Sequence, residues 1–212
     1  PHKWRGWWDF GCCAMGDMGC HILDAPYTSL KLGAPTKMSA ETSGVNNETG
    51  PHWSIISFEF PARDALPPVK LTWYDGGKLP PRPEGLPADF KLGDRDGGSL
   101  LIGEKGAITV GTYGGGPRFL SSEQQAQWDA MAPERDEFLG HHKPWIAACK
   151  GGKPSLSNFD YAAPFTEVVL LGNVAMRAGQ PIEWDTATKT ASNLPGANRF
   201  IDPPYRAGWA LG

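Results

Sequence analysis

Two periodicities and a set of punctuating residues divide the chain. After Gly11 the apolar positions recur at helical rather than alternating spacing, which predicts a helix over 13–32. At about 3.6 residues per turn, Met15, Ile22, Leu23 and Leu30 fall on one side of that helix, and Asp17, His21, Asp24 and Thr28 share a narrow arc on the other. Pro26 lies inside the helix and lacks a backbone donor, so a bend or break is expected between Ile22 and Pro26, with Gly33 and Pro35 as the terminator. From Lys37 the pattern alternates, over 37–43, 52–60 and 69–74. In the second run Trp53, Ile55, Ser57 and Glu59 face one way and Ile56, Phe58 and Phe60 the other; in the third Val69, Leu71 and Trp73 oppose Lys70, Thr72 and Tyr74. Strands with one apolar face are expected of an antiparallel sheet covered by helices on one side only.

Further along, 79–96 is rich in proline and reads as an extended, strandless excursion, and 99–110 reads as a hairpin whose turn is bounded by Gly103 and Gly106. The triple glycine in 112–118 invites a phosphate-loop reading, but Pro117 follows it and no GxGxxG opens a helix anywhere in the chain, so a turn is expected. Ser122 is expected to cap a short helix. Pro133 is expected to open another that reaches Cys149, with Phe138, Trp145, Ile146 and Cys149 toward the core and a kink or division at Pro144. Asn158 or Asp160 caps a longer helix that runs to Met176, with Arg177 and Gly179 at its end. Phe165, Val168, Val169, Leu171, Val174, Ala175 and Met176 make its apolar body, and Glu167 and Asn173 are read as hydrogen-bonded core residues. The tail from Gln180 reads as mostly irregular, anchored by Trp184, Phe200, Tyr205 and Trp209. Contiguous strands flanked by helices predict an α+β fold with an open, largely antiparallel sheet and helices on one face, as a single domain over 1–212.

With 212 residues, 40% of them hydrophobic, the chain can bury one substantial core. A net charge of −3 with no Lys/Arg cluster argues against nucleic acid, and no apolar run is long enough to cross a bilayer. Cys12, Cys13, Cys20 and Cys149 lack zinc-site spacing and read as buried free thiols around the first helix, with no metal; the adjacent His141 and His142 read as surface histidines. Beginning at Pro1 without Met, the chain reads as a fragment, and no basic-then-apolar signal segment opens it.

The candidate chemistry lies on the polar arc. A carboxylate at Asp17 one turn from the imidazole of His21 suits proton transfer, since the charge favours imidazolium and can fix its tautomer. Just before the helix, Trp4, Trp7 and Trp8 either lid the core or form a stacking surface for a sugar ring, with Lys3 and Arg5 as hydrogen-bond donors.

Gly16-Asp17-Met18-Gly19-Cys20-His21-Ile22-Leu23-Asp24 resembles the second signature of the Gfo/Idh/MocA oxidoreductases, in which an Asp and a His lie four apart on a helix beside the nicotinamide. Trp4-Arg5-Gly6-Trp7-Trp8-Asp9-Phe10-Gly11 resembles the bacterial branch with the longer C-terminal domain, as do 151–161, 171–175, 182–185 and 205–209. That resemblance implies an open mixed sheet whose uncovered face supports a homo-oligomer, with Trp53 or Tyr74 in the contact. It implies a sugar or cyclic polyol substrate, His21 exchanging the hydroxyl proton and Asp17 orienting imidazole and substrate, while Asp24 makes a structural contact. NAD or NADP would be bound by a preceding Rossmann domain, which the chain lacks along with its Glu-Lys-Pro motif; the fragment alone is expected to be inactive, and the family includes both cytoplasmic and exported enzymes. Two alternatives stand beside this: an NAD-dependent glycoside hydrolase on the same scaffold, and a non-catalytic carbohydrate-binding or oligomerisation module.

Overall fold

A computed structural model describes residues 2–131 and 140–209. A short 3-10 helix (His2–Gly6) precedes α1 (Cys13–Ile22), and α2 (Asp24–Ser29) follows at an angle set by Pro26. Because Pro26 has no N–H, the Ile22 carbonyl has no helical donor; the Ser99 hydroxyl supplies one at 2.8 Å. The helix ends earlier than Gly33. Lys31 adopts φ 49°, its N–H donates to the Thr28 carbonyl and the Leu32 N–H reaches back to Tyr27, so a lysine rather than a glycine holds the left-handed closing position.

β1 (Lys37–Thr42), β2 (Ser54–Phe60) and β3 (Val69–Tyr74) form the expected antiparallel strands. The tail that was expected to be irregular adds β7 (Ile182–Asp185) and β8 (Thr190–Ala191), giving one five-stranded sheet of order β3-β2-β1-β7-β8, antiparallel throughout. Four and two residues are too few for alternation to be legible; the pairing of Lys37 with Glu183 and Met38 with Ile182 is a long-range property. Met38, Ile56, Phe58 and Trp73 share the buried face, beneath α5 (Phe159–Ala178).

Asn158 caps α5 by accepting the Asp160 N–H at 2.9 Å, Gly179 closes it at φ 63°, and all seven expected apolar positions are buried. α1 lies across α5 at close range because both carry glycine at the contact. A Cβ on Gly172 would come within 2.9 Å of Met15 Cγ and 3.2 Å of Phe58 Cζ, and one on Gly19 within 3.2 Å of Val169 Cγ1. The helices thus cover one face, leaving the other with registered rows such as Lys37, Glu59 and Lys70.

The hairpin forms as expected, in a second sheet of order β4-β5-β6, from β4 (Gly98–Gly103), β5 (Gly106–Gly111) and β6 (Arg118–Phe119). At α3 (Ser122–Met131) it is Ser121, not Ser122, whose hydroxyl accepts the Gln124 N–H, one residue earlier than the pattern indicated. Of the helix expected over 133–149, the segment containing Pro133 and Phe138 lies outside the described residues; α4 (His142–Cys149) accommodates Pro144 in its first turn, where no helical donor is needed. Trp145 and Ile146 are 60% and 45% exposed and Cys149 is exposed, not core-facing, because one turn of apolar residues buries too little area to dock the helix. Tyr205 and Trp209 are likewise surface residues rather than anchors, the latter under the Arg206 guanidinium, while Trp184 is buried and Phe200 packs against the core. Only Cys13 of the four thiols is buried; Cys12, Cys20 and Cys149 are exposed, Cys20 because it adjoins the polar arc of α1.

Candidate functional site

The N-terminal segment is stitched to the turn at 46–50. Asn46 Oδ1 accepts the N–H groups of Glu48 and Thr49, Trp8 N–H donates to the Glu48 carbonyl, Trp7 bridges Thr49, and Gly50 N–H donates to Gly6. This docking lays Arg5 over α1, where its Nη1 donates to Asp17 Oδ2 in a half-exposed ion pair. Lys3, Arg5, Cys13, Asp17, Met18 and Gly50 line an open cleft of about 270 Å³ there. Cys13 Sγ–H points to the Gly6 carbonyl at 3.8 Å, and burial pushes its thiol pKa up, so it lines the cleft as a neutral group.

The four residues of the polar arc part company. Asp17 engages Arg5. His21 is exposed and meets Tyr113 edge-on, with ring centroids 5.1 Å apart at 65°. Asp24 and Thr28 share Tyr161, whose hydroxyl donates to Asp24 Oδ1 and lies 2.8 Å from Thr28 Oγ1. Partial burial, and then the Asp24 carboxylate that needs the phenolic proton, push the Tyr161 pKa up to about 12. Asp24 therefore makes the structural contact expected of it. Asp17 and His21 occupy one side of α1 as the spacing requires, but among the described residues the hydrogen-bond partner of Asp17 is Arg5, not the imidazole.

Of the three tryptophans, Trp8 packs against the core, donates Nε1–H to the Asn46 carbonyl and lies under the Arg177 guanidinium, a structural position. Trp4 and Trp7 are exposed, Trp4 against Phe10, and neither lines the Arg5–Asp17 cleft. Lys3 and Arg5 do line it.

A larger cleft of about 460 Å³ is lined by Gly93, Asp94, Gly111, Gly115, Arg118 and Tyr113, the ring that meets His21. Sequence reasoning passed over this one. Its only local signal is 93–98, where Asp94 stands two and three residues before the backbone N–H groups of Asp96 and Gly97 that its Oδ1 accepts. The same carboxylate accepts Thr112 Oγ1 and Thr112 N–H, each at 2.7 Å, and these bonds hold its pKa below the ordinary carboxylate range.

At the rim of the core, Glu167 is partly exposed and accepts Trp184 Nε1–H at 3.2 Å and Lys189 Nζ–H at 2.6 Å, hydrogen-bonded as expected though not buried. Asn173 differs from expectation: it is 8% exposed and among the described residues its Oδ1 has no hydrogen-bond partner, since the facing residue on α1 is Gly16, which brings no side-chain donor. Among the described residues no group of three or more His, Cys, Asp or Glu side chains is placed to hold a metal ion, and no described helix is long and apolar enough to cross a membrane.

A dinucleotide needs a strand, a glycine turn and a helix in a parallel βαβ unit. Every strand pair described is antiparallel, so the described residues do not fit that group. No family model matches the chain, and none of the curated proteins compared with it matches in sequence.

Proposed function

We propose that this chain forms the substrate side of an NAD(P)-dependent oxidoreductase that acts on a sugar or cyclic polyol, with His21 exchanging the substrate hydroxyl proton. The observation behind this is the exposed His21 imidazole on α1, one turn from Asp17 of the first cleft and against Tyr113 of the second. An imidazole ring nitrogen can accept a hydroxyl proton and return it. Arg5 uses one N–H on Asp17 and has further donors for a substrate hydroxyl, while Asp17 offsets the guanidinium charge and sets its direction. The dinucleotide belongs to another domain in this reading. The Arg5–Asp17 pair, which leaves His21 without its carboxylate, favours a second reading as a carbohydrate-binding module without catalysis. The uncovered sheet face is proposed as the contact between copies: Lys70, Glu59, Lys37 and Glu183 alternate in charge across it, a row that a second copy can complement, and a monomer in sedimentation velocity would remove that proposal.

The test is NAD(P)-linked oxidation of a panel of sugars and cyclic polyols by the full-length protein, followed at the nicotinamide absorbance. His21→Ala is expected to lower kcat by about 10²- to 10⁴-fold with KM little changed. Turnover that survives His21→Ala, or no turnover with any member of the panel, overturns the catalytic reading; sugar binding that persists without turnover is the result the binding module requires.

A further inference from the structure

We infer that the glycine-walled cleft under Tyr113 is the sugar-ring site, that Tyr113 is its stacking platform, and that it selects neutral over phosphorylated sugars. This rests on the sugar reading above but assigns the ring to the second sheet and its turn rather than to Arg5 and Asp17.

Tyr113 is 70% exposed, yet it stands on a fixed support. Its neighbour Thr112 is fully buried and bonded through both N–H and Oγ1 to Asp94, while Gly111 N–H donates to Gly115 and Gly114 N–H to Gly111, closing the turn. A large aromatic ring held in water on a rigid turn presents a flat apolar face at little cost in side-chain entropy. The support is tied to α1 one residue beyond the imidazole: Ser99 Oγ bonds the Ile22 carbonyl, and Gly97 lies against Ile22 Cδ1. His21 and Tyr113 therefore keep their 5.1 Å separation through a direct bridge between helix and hairpin.

The walls leave room for a polyol. Glycines at 93, 111 and 115 put no side chain into the cleft, so a ring can lie close to the backbone, and about 460 Å³ falls in the range of small-molecule sites. Asp94 Oδ1 accepts three hydrogen bonds but Oδ2 only one, from Thr112 N–H, so Oδ2 retains acceptor capacity for a hydroxyl donor. The one cation in the lining, Arg118, directs its Nη2 to the Lys91 and Gly93 carbonyls, each at 2.8 Å, and lies over Phe90. The Asp94 carboxylate opposes an anion, and the guanidinium, with Nη2 bonded to two wall carbonyls, has fewer donors left for one, so the cleft favours hydroxyl groups over phosphate.

The experiment is a titration of the isotopically labelled protein with glucose, galactose and glucose 6-phosphate, followed by amide and imidazole chemical shifts. The neutral sugars are expected to move the signals of Gly93, Gly111, Thr112, Tyr113 and the His21 ring, and glucose 6-phosphate to bind at least several-fold more weakly. Tyr113→Ala should weaken neutral-sugar binding by about 2- to 10-fold and Tyr113→Phe should leave it nearly intact. Because Tyr113 is exposed, signals remote from the turn report that each variant is folded. Shifts confined to Gly6, Asp17 and Gly50 would overturn this placement while leaving the sugar reading in force. Tighter binding of glucose 6-phosphate would overturn the charge selection. No shift with any neutral sugar removes the inference, and the turnover assay above then decides separately whether the sugar reading goes with it.

Discussion

The two sheets are held together by different forces. The five-stranded sheet buries Met38, Ile56, Phe58, Trp73, Ile182 and Trp184 against α5 and belongs wholly to the main hydrophobic core. The three-stranded sheet contributes nothing to that cluster; the fully buried side chains of the sheet and the turn after β5 include the polar Thr109 and Thr112. Thr109 Oγ1 accepts the Gly93 N–H and donates to the Ser99 carbonyl, and Thr112 is bonded to Asp94, so this region is a hydrogen-bonded knot. Apolar burial is non-directional and supplies stability, whereas hydrogen bonds add only about 0.5–1.5 kcal/mol net each but fix geometry. The candidate site draws one side chain from each region, His21 from the stable frame and Tyr113 from the knotted one. Stability and positioning are thus separable here, and each can be disturbed on its own.

The largest effect is expected at Phe58, fully buried between the sheet and the α1–α5 contact. Phe58→Ala should cost about 3–5 kcal/mol in denaturant unfolding. If the hairpin amides of β4 and β5 stayed protected after the large sheet had unfolded, the second sheet would be independently stable and the comparison would fail.

Next is Asp75, a polar knot inside the apolar region. Its Oδ1 accepts the Ser54 N–H and its Oδ2 accepts Ser54 Oγ–H and Trp73 Nε1–H, each within 2.7 Å, beneath a fully buried Ser54. Asp75→Ala leaves these donors unpaired and should cost about 1–3 kcal/mol, less than Phe58→Ala. A larger loss than Phe58→Ala in the same denaturant series would show that hydrogen bonding governs the first sheet as well.

A smaller effect is expected at the α2–α5 seam. Tyr161→Phe removes the hydrogen bonds to Asp24 and Thr28 while keeping the ring against Tyr27 and Phe165, and should cost about 0.5–1.5 kcal/mol. The folded-state pKa of Tyr161 is raised, so its contribution is complete below the ordinary phenol value near 10 and fades as pH rises toward about 12. Tyrosinate absorbance should show a late-ionising component that Tyr161→Phe abolishes.

The sequence made the stable frame more legible than the knotted region. α5 could be read from its Asn158 cap to Gly179, and β2 from its alternation, because caps and periodicity are local and the buried face repeats. The break near Pro26 was legible because a missing donor acts on its own turn. β7 was not, since Ile182 and Trp184 show their alternation only once Met38 is paired beside them. At the site, the spacing gave the shared arc of Asp17 and His21, but not the partner of either. Arg5 reaches Asp17 only because the turn at 46–50 docks the N-terminal segment, and Tyr113 reaches His21 only because Ser99 ties the hairpin to Ile22. The triple glycine drew attention to itself as a candidate phosphate loop, while the ring that meets His21 is the tyrosine before it, on a turn tied by Asp94 some twenty residues upstream.

The smallest effect on global stability, and the sharpest on geometry, is expected at Asp94. Its hydrogen bonds to Thr112, Asp96 and Gly97 stabilise the ionised form, so its folded-state pKa lies below the value of about 4 it has in the unfolded chain. A group depressed in this way contributes above its unfolded pKa, and the contribution is lost as pH falls through the folded value. The turn at 111–116 should therefore keep its amide-exchange protection at neutral pH and lose it on acidification below about 4, before the five-stranded sheet responds. Asp94→Asn replaces one acceptor oxygen by a donor, so either the Thr112 N–H or its hydroxyl loses its partner at every pH. In that variant Thr112 and Gly97 should exchange rapidly at pH 7 with no further acid dependence, while the melting temperature moves little. A melting temperature that fell as far as in Phe58→Ala would mean that the knot stabilises the whole molecule; unchanged exchange would mean that Tyr113 is held beside His21 by something other than Asp94.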